Sequence, residues 1–169
     1  MPAEYSIRKG TPRAPRAAFD VSMLAMKDLY LRHGHEWQLE PEAFWKVLEP
    51  FVAHLADHAA EWWIAEDRAD GKLIGYARSV ERDGLFELTE LFVRPDKQSA
   101  RLGKFLLEKA FPSGRGEVRV IIATNDVRGL ARYYGAGTAA RFAMFSLTGQ
   151  PRPAAAGKYE ALPVGPAEI

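Results

Sequence analysis

Residues 85–111 read LFELTELFVRPDKQSARLGKFLLEKAF, and the switch of hydrophobic period inside them constrains the fold more than any other stretch. The first half alternates apolar with other side chains and stops at Pro95, the pattern of a half-buried strand that has to end. Asp96, Lys97, Gln98 and Ser99 make a polar connection. From residue 101 apolar side chains recur at Leu102, Phe105, Leu106 and Ala110, one stripe of a helix running to residue 111. Strand, short loop and helix therefore follow one another directly. The first amides of such a helix have no intrahelical acceptor and carry the positive end of its dipole. Ser99 is placed to cap it, while Arg101 and Lys104 fall in its first turn, where cations are unfavourable unless an anion sits there. The loop is accordingly a candidate phosphate site.

Around this unit the chain reads as short elements. Residues 5–8 form a first strand closed by Gly10 and Pro12. Phe19, Met23, Met26 and Tyr30 share one face of a helix over residues 17–33, which Gly34 ends. A second helix spans residues 41–57, with a stripe of Phe44, Val47, Leu48, Phe51, Val52 and Leu55; Pro50 inside it predicts a kink or a break near Glu49. Residues 62–65 and 73–80 are expected to pair as a hairpin, and Asp83-Gly84 turns the chain into the central strand. Residues 118–123 are apolar and β-branched enough for a buried strand, parallel to the central one because a helix intervenes. Residues 126–134 read as a short helix stopped by Gly135 and Gly137, and residues 139–147 as a last strand. The expected domain is residues 1–149; residues 150–169, rich in proline, are a surface strap or a linker.

The 169 residues suit one domain with a real core, and a net charge of +1 gives no electrostatic footprint for nucleic acid or a membrane surface. With no cysteine there is no disulfide framework, thiolate nucleophile or cysteine metal site. The N-terminus lacks an apolar signal core, and no apolar run approaches the ~20 residues of a membrane span, so the expected location is the cytoplasm. His54 and His58 stand one helical turn apart, a spacing that binds zinc, but no third ligand is indicated and no metal is expected.

Val93-x-Pro95, followed by Gln98-Ser99-Ala100-Arg101-Leu102-Gly103, resembles the V-x-P and R/Q-x-x-G-x-G/A signature of the GNAT superfamily of acetyl-coenzyme A-dependent N-acetyltransferases. Ala131-Arg132-Tyr133 and Gly137 are similar to that family's A-x-Y and glycine. Arg101 replaces the family's middle glycine, and Thr138 replaces the phenylalanine that usually follows the later one. The resemblance implies an α/β (α+β) fold of the acyl-CoA N-acyltransferase type, with a mixed, mostly antiparallel sheet of six to seven strands flanked by about four helices. It also implies acetyl-CoA as cofactor and a small-molecule amine or peptide N-terminus as acceptor, acetylated by direct attack in a ternary complex. Nucleic acid and membranes are not expected as partners. A homodimer, common in the family, is compatible with it.

By the same resemblance the cofactor is held by Leu91, Phe92 and Val93 of the central strand, and by Gln98, Ser99, Ala100, Arg101, Leu102, Gly103 and Lys104 of the loop and first turn. The backbone N–H of Leu91 is expected to face the thioester oxygen. Asn125, after the next strand, touches the cofactor or caps the following helix. Glu87 stands where family members place the carboxylate that takes the amine proton, and burial suits a carboxylate to be a base near neutral pH. Glu90, three residues on, is expected on the opposite face of the strand. Tyr133 is the expected acid for the departing thiolate, with Tyr134 as the alternative register. Trp37, Trp62 and Trp63 offer apolar surface for an acceptor pocket or for the core. The competing reading is a catalytically silent copy of the fold that binds acyl-CoA or a partner protein, with Arg101 and Thr138 as its support.

Overall fold

The computed structural model describes residues 4–11, 15–98, 101–145 and 149–150. Ser99, Ala100 and the tail from residue 151 lie outside the described residues. The chain divides into two compact units, Met1–Ala139 and Ala140–Ile169. In the second, the described residues carry no helix or strand.

The first unit is built on five strands hydrogen-bonded in chain order: β1 (Tyr5–Lys9), β2 (Glu61–Asp67), β3 (Leu73–Arg82), β4 (Leu85–Val93) and β5 (Val118–Ile121). Every neighbouring pair is antiparallel except β4 with β5, which is parallel. Four helices accompany them: α1 (Pro15–Arg32), α2 (Pro41–Asp57), α3 (Leu102–Ala110) and α4 (Val127–Gly135). The mixed, mostly antiparallel sheet is the expected one, with five strands among the described residues in place of six to seven. Residues 139–145 carry no strand. An edge strand draws its stability from pairing with distant residues, so an apolar run is weak grounds for assigning one.

Local chemistry explains the connections. Arg82 pairs with Leu85, leaving Asp83-Gly84 as a two-residue loop with φ of 49° and 80°, the conformation that lets a hairpin keep its twist. The crossover from β4 to β5 passes through α3, which packs Leu102, Leu106, Leu107 and Ala110 against Phe86, Leu88 and Val93. Gly75 makes that approach close: a Cβ there would meet Leu106 Cδ1 at 3.2 Å and the Phe92 carbonyl at 3.1 Å. On the other face Ala18 and Val21 of α1 and Ala56 of α2 cover Trp62, Ile64 and Tyr76. The sheet is thus buried on both sides.

Two expectations about helices change. α2 runs unbroken from Pro41 to Asp57 with Pro50 inside it. Pro50 is exposed, so water can satisfy the carbonyl whose bond the ring removes, while Val52, Leu55 and Ala56 hold the buried face. At α3 the N-cap position is Arg101, not Ser99, with φ 57° and no capping hydrogen bond from its side chain.

Candidate active site

β4 is shared by two neighbours that part company half-way along it. Its pairing with β5 ends at Leu88 opposite Ile121, whereas its pairing with β3 continues to Val93 opposite Gly75. At the same point the register with β3 slips. Arg78 faces Glu90 and Ser79 faces Leu88, so Thr89 is the extra residue of a bulge. Its Oγ1 donates to the Arg78 carbonyl at 3.0 Å. A bulged strand bends, and beyond Leu88 the β5 side of β4 is left open. Backbone N–H groups alternate between the two edges of a strand. The Arg94 N–H reaches the Ile74 carbonyl of β3 at 2.8 Å, so those of Leu91 and Val93 point the other way, into the split.

The split opens into a cleft of about 220 Å³ walled by Met26 and Leu29 of α1, Glu90 to Val93 of β4, Gly103 of α3 and Tyr133 of α4. It reaches both faces of the sheet. Leu91, Val93 and Tyr133 pack with the core under α3, whereas Phe92 packs with the core under α1 and α2.

Of the expected cofactor residues, Leu91, Phe92, Val93, Gln98 and Gly103 come together here. Gln98 Nε2 donates to the Val93 carbonyl at 3.2 Å, tying the loop to the strand end. A Cβ on Gly103 would stand 3.7 Å from both Arg132 Nε and Val93 Cγ2, so a guanidinium from α4 lies against the first turn of α3. Leu102 is fully buried and anchors the helix from below. Arg101 and Lys104 are exposed beside it, Lys104 Nζ 3.7 Å from Glu108 Oε1. Asn125 is exposed and outside the cleft walls; the cap of α4 is its neighbour Asp126, whose Oδ1 accepts from the Arg128 N–H at 2.9 Å. Ser99 and Ala100 lie outside the described residues.

The two glutamates are placed differently from the expectation that they face opposite ways. Val80, Arg78 and Tyr76 share one face of β3, and their partners are Glu87, Glu90 and Phe92. The bulge inserts one residue between them, so Glu87 and Glu90 point to the same face. Glu87 sits in the closed half of β4, between Val80 and Val120, and is not among the cleft-lining residues. Glu90 is among them.

Glu90 is also the most constrained group of the site. Its Oε1 accepts from the Tyr76 hydroxyl at 2.8 Å, and its Oε2 lies 2.7 Å from Nε of Arg78. Arg78 is completely buried, stacked on the Trp62 ring at 4.6 Å and donating through Nη1 to the Val52 carbonyl of α2 at 3.1 Å. Burial pushes the Glu90 carboxyl above its usual range, while the charge of Arg78 and the Tyr76 hydrogen bond pull it part of the way back. Burial likewise raises the Tyr133 phenol, which therefore keeps its proton. At the rim burial alone would raise Asp126, but hydrogen bonds from Arg128 and Arg32 bring it down to about 2.

The other candidates lie elsewhere. Trp62 covers Arg78, Trp63 sits between the ammonium groups of Lys9 and Lys109 at 4.4 and 4.3 Å, and Trp37 meets Tyr30 edge-on at 5.6 Å. His54 and His58 stack at 4.1 Å, and the described residues contain no group of three His, Cys, Asp or Glu able to hold a metal. No described helix is long and apolar enough to cross a membrane. Sequence reasoning missed the Arg78–Glu90–Tyr76 group. Its signal was the arginine inside the apolar run LIGYARSV, since a charge in a buried strand requires a partner.

The GNAT acetyltransferase family matches residues 23–136, more than half of the chain, and the chain belongs to that family. Solved structures of similar fold include the PaiA N-acetyltransferase of Thermoplasma acidophilum in complex with coenzyme A, at 19% identity and a TM-score of 0.53, covering 78% of this chain and 87% of that one. A GNAT-family acetyltransferase of Staphylococcus aureus is similar at 12% identity and a TM-score of 0.55, covering 79% and 82%. A ribosomal-protein-alanine N-acetyltransferase of Escherichia coli is similar at 16% and 0.52, covering 79% and 76%. No curated protein matches the sequence.

Proposed function

We propose that this protein transfers an acetyl group from acetyl-CoA to a primary amine, by direct attack while both are bound. The observation that carries the reading is the split between β4 and β5. It makes one cleft that reaches both faces of the sheet, with open backbone donors on its edge and a protonated phenol in its wall. The residues present suit the cofactor. The first turn of α3 begins on an exposed cation, and Gly103 keeps its surface free of a side chain.

When bound, acetyl-CoA supplies an acetyl thioester. The amides opening α3, with Gln98 and Arg101, hold the diphosphate, and Ser99, Ala100 and Lys104 are proposed to complete that cradle. The Leu91 N–H is aimed to hold the thioester oxygen, where a fixed donor favours the charge that develops during attack. Tyr133 gives its proton to the departing sulfur.

Calorimetry with acetyl-CoA tests the first half: saturable binding is expected, and its absence overturns the reading. Thiol release with phenethylamine, spermidine, an aminoglycoside, free amino acids and an unblocked peptide tests the second. Arg101 at the family's glycine position favours a second reading, a domain that binds acyl-CoA without turnover. Thiol release that falls in Tyr133→Phe while acetyl-CoA still binds excludes it.

A further inference from the structure

We propose that the buried Arg78–Glu90 pair sets the register of β4 on β3 and is thereby the positioning element that turns the Leu91 N–H into the split. Its functional half rests on the acetyl-transfer reading. Chain length supplies the surplus residue of the bulge, and the pair decides where that residue is shed. From Arg82 opposite Leu85 to Ser79 opposite Leu88 the strands keep one register, and from Arg78 opposite Glu90 to Gly75 opposite Val93 they keep another. Continued without the step, the first register would put Thr89 opposite Arg78 and Glu90 opposite Ala77. Every β4 side chain beyond the step would change face. The amides would change edge with them: the Leu91 N–H, which faces away from β3 in the observed register, would be handed to β3. Those of Glu90 and Phe92 would line the split in its place.

Two groups hold the step at Thr89. Leu88 and Ala77 both lie in the core under α3, so a surplus shed before Leu88 would turn that leucine out of the core. A surplus shed after Glu90 would drive its carboxylate into the same core opposite Ala77, and would leave Arg78 without a counter-charge. Arg78 has no way out. It is completely buried, its guanidinium lies 4.6 Å from the Trp62 ring centre, and its Nη1 donates to the Val52 carbonyl at 3.1 Å. In the observed register Glu90 turns inward to it, with Oε2 2.7 Å from Arg78 Nε and Oε1 accepting from the Tyr76 hydroxyl at 2.8 Å. Tyr76 and Phe92 face each other in that register alone, their ring centres 5.7 Å apart. A buried pair adds little stability over apolar side chains of similar volume, but a buried charge that loses its partner is strongly destabilising. The pair therefore contributes to the choice of register more than to the stability of the sheet. Arg78 is not among the cleft-lining residues, so its influence on the cleft passes through the backbone of β4.

The test compares the wild type with an apolar variant, Tyr76→Phe with Arg78→Met and Glu90→Leu, and with Arg78→Lys. The readouts are amide hydrogen exchange by nitrogen NMR, urea titration, and calorimetry with acetyl-CoA. In the wild type the Phe92 amide, which alternation directs to β3, is expected to exchange at least about tenfold more slowly than the Leu91 amide. Glu90→Leu makes the residues beyond the step apolar on both faces, so in the apolar variant the hydrophobic pattern no longer chooses a register. Its urea midpoint should equal or exceed that of the wild type, while the order of the two amides is lost or reversed. Acetyl-CoA affinity should fall about threefold or more, by the reciprocal of the share left in the wild-type register. Arg78→Lys keeps a cation opposite Glu90 and should keep the wild-type order. Wild-type order in the apolar variant overturns the proposal, as does its loss in Arg78→Lys. An apolar variant too unstable to give a urea transition also overturns it, because the pair then holds the fold rather than its register. Lost order with unchanged acetyl-CoA affinity overturns the positioning role. Failure of the wild type to bind acetyl-CoA overturns the acetyl-transfer reading alone; the exchange order needs no ligand and still decides the register.

Discussion

Helices α3 and α4 both contribute to the cleft, and their N-termini are opposites. α4 is closed by its own anion: Asp126 accepts from the Arg128 N–H and draws in the guanidinium groups of Arg32 and Arg128, each at 3.3 Å. α3 begins on Arg101, without a capping hydrogen bond from that side chain, with Lys104 in its first turn and Arg132 laid against Gly103. A helix start gathers positive potential, and cations around it add to the imbalance. One terminus is neutralised from within the chain; the other starts among cations, and on the proposed function it receives the diphosphate of acetyl-CoA. On the acetyl-transfer reading, the contrast separates a structural helix end from a binding one.

The largest expected effect comes from filling the open terminus. Gly103→Trp forces an indole into the 3.7 Å gap to Arg132 and Val93, and acetyl-CoA affinity measured by calorimetry should fall by more than about 100-fold, roughly 3 kcal/mol. Giving α3 what α4 already has is the next step. Arg101→Asp should weaken acetyl-CoA about tenfold while raising resistance to urea, because the new carboxylate satisfies the helix start. If the variant binds acetyl-CoA as well as the wild type does, the contrast between the two termini carries no functional meaning. Arg101→Gly keeps the left-handed backbone at this position but relieves its cost, since glycine has no Cβ, and is expected to stabilise the fold by about 1 kcal/mol in urea titrations. The smallest effect belongs to α4. Asp126 has a depressed carboxyl, so its contribution is complete above the unfolded value near 4 and is lost as pH falls through about 2. Its partners are partly solvent-screened, so acid titration of wild type against Asp126→Asn should differ by about 1 kcal/mol or less in that window.

Much of this arrangement was readable from residues. The period change around Pro95 marked the end of β4 and the start of α3, Asp83-Gly84 marked the hairpin, and the intervening helix required β5 to run parallel. These are local signals, carried by side-chain spacing and by residues with restricted backbones. The Thr89 bulge left only a faint trace: the apolar positions Phe86 and Leu88 are followed by Leu91 and Val93, a one-residue slip in the alternation of LFELTELFV. That single omission put Glu90 on the wrong face of the strand. Pairing between strands decides which residue is extra, and pairing is a tertiary property. Arg101 as N-cap has a similar origin: its conformation is imposed by the loop that joins β4 to α3, not by its own propensity.

The bulge carries a wider implication. Because the opening comes from a miscount between two backbones rather than from any particular side chain, the residues around it can change to suit different acceptors without closing it. Chain length between Leu88 and Val93 is what must stay constant: with one amino acid fewer, the ladder would have no surplus to shed and the gap would lose its cause.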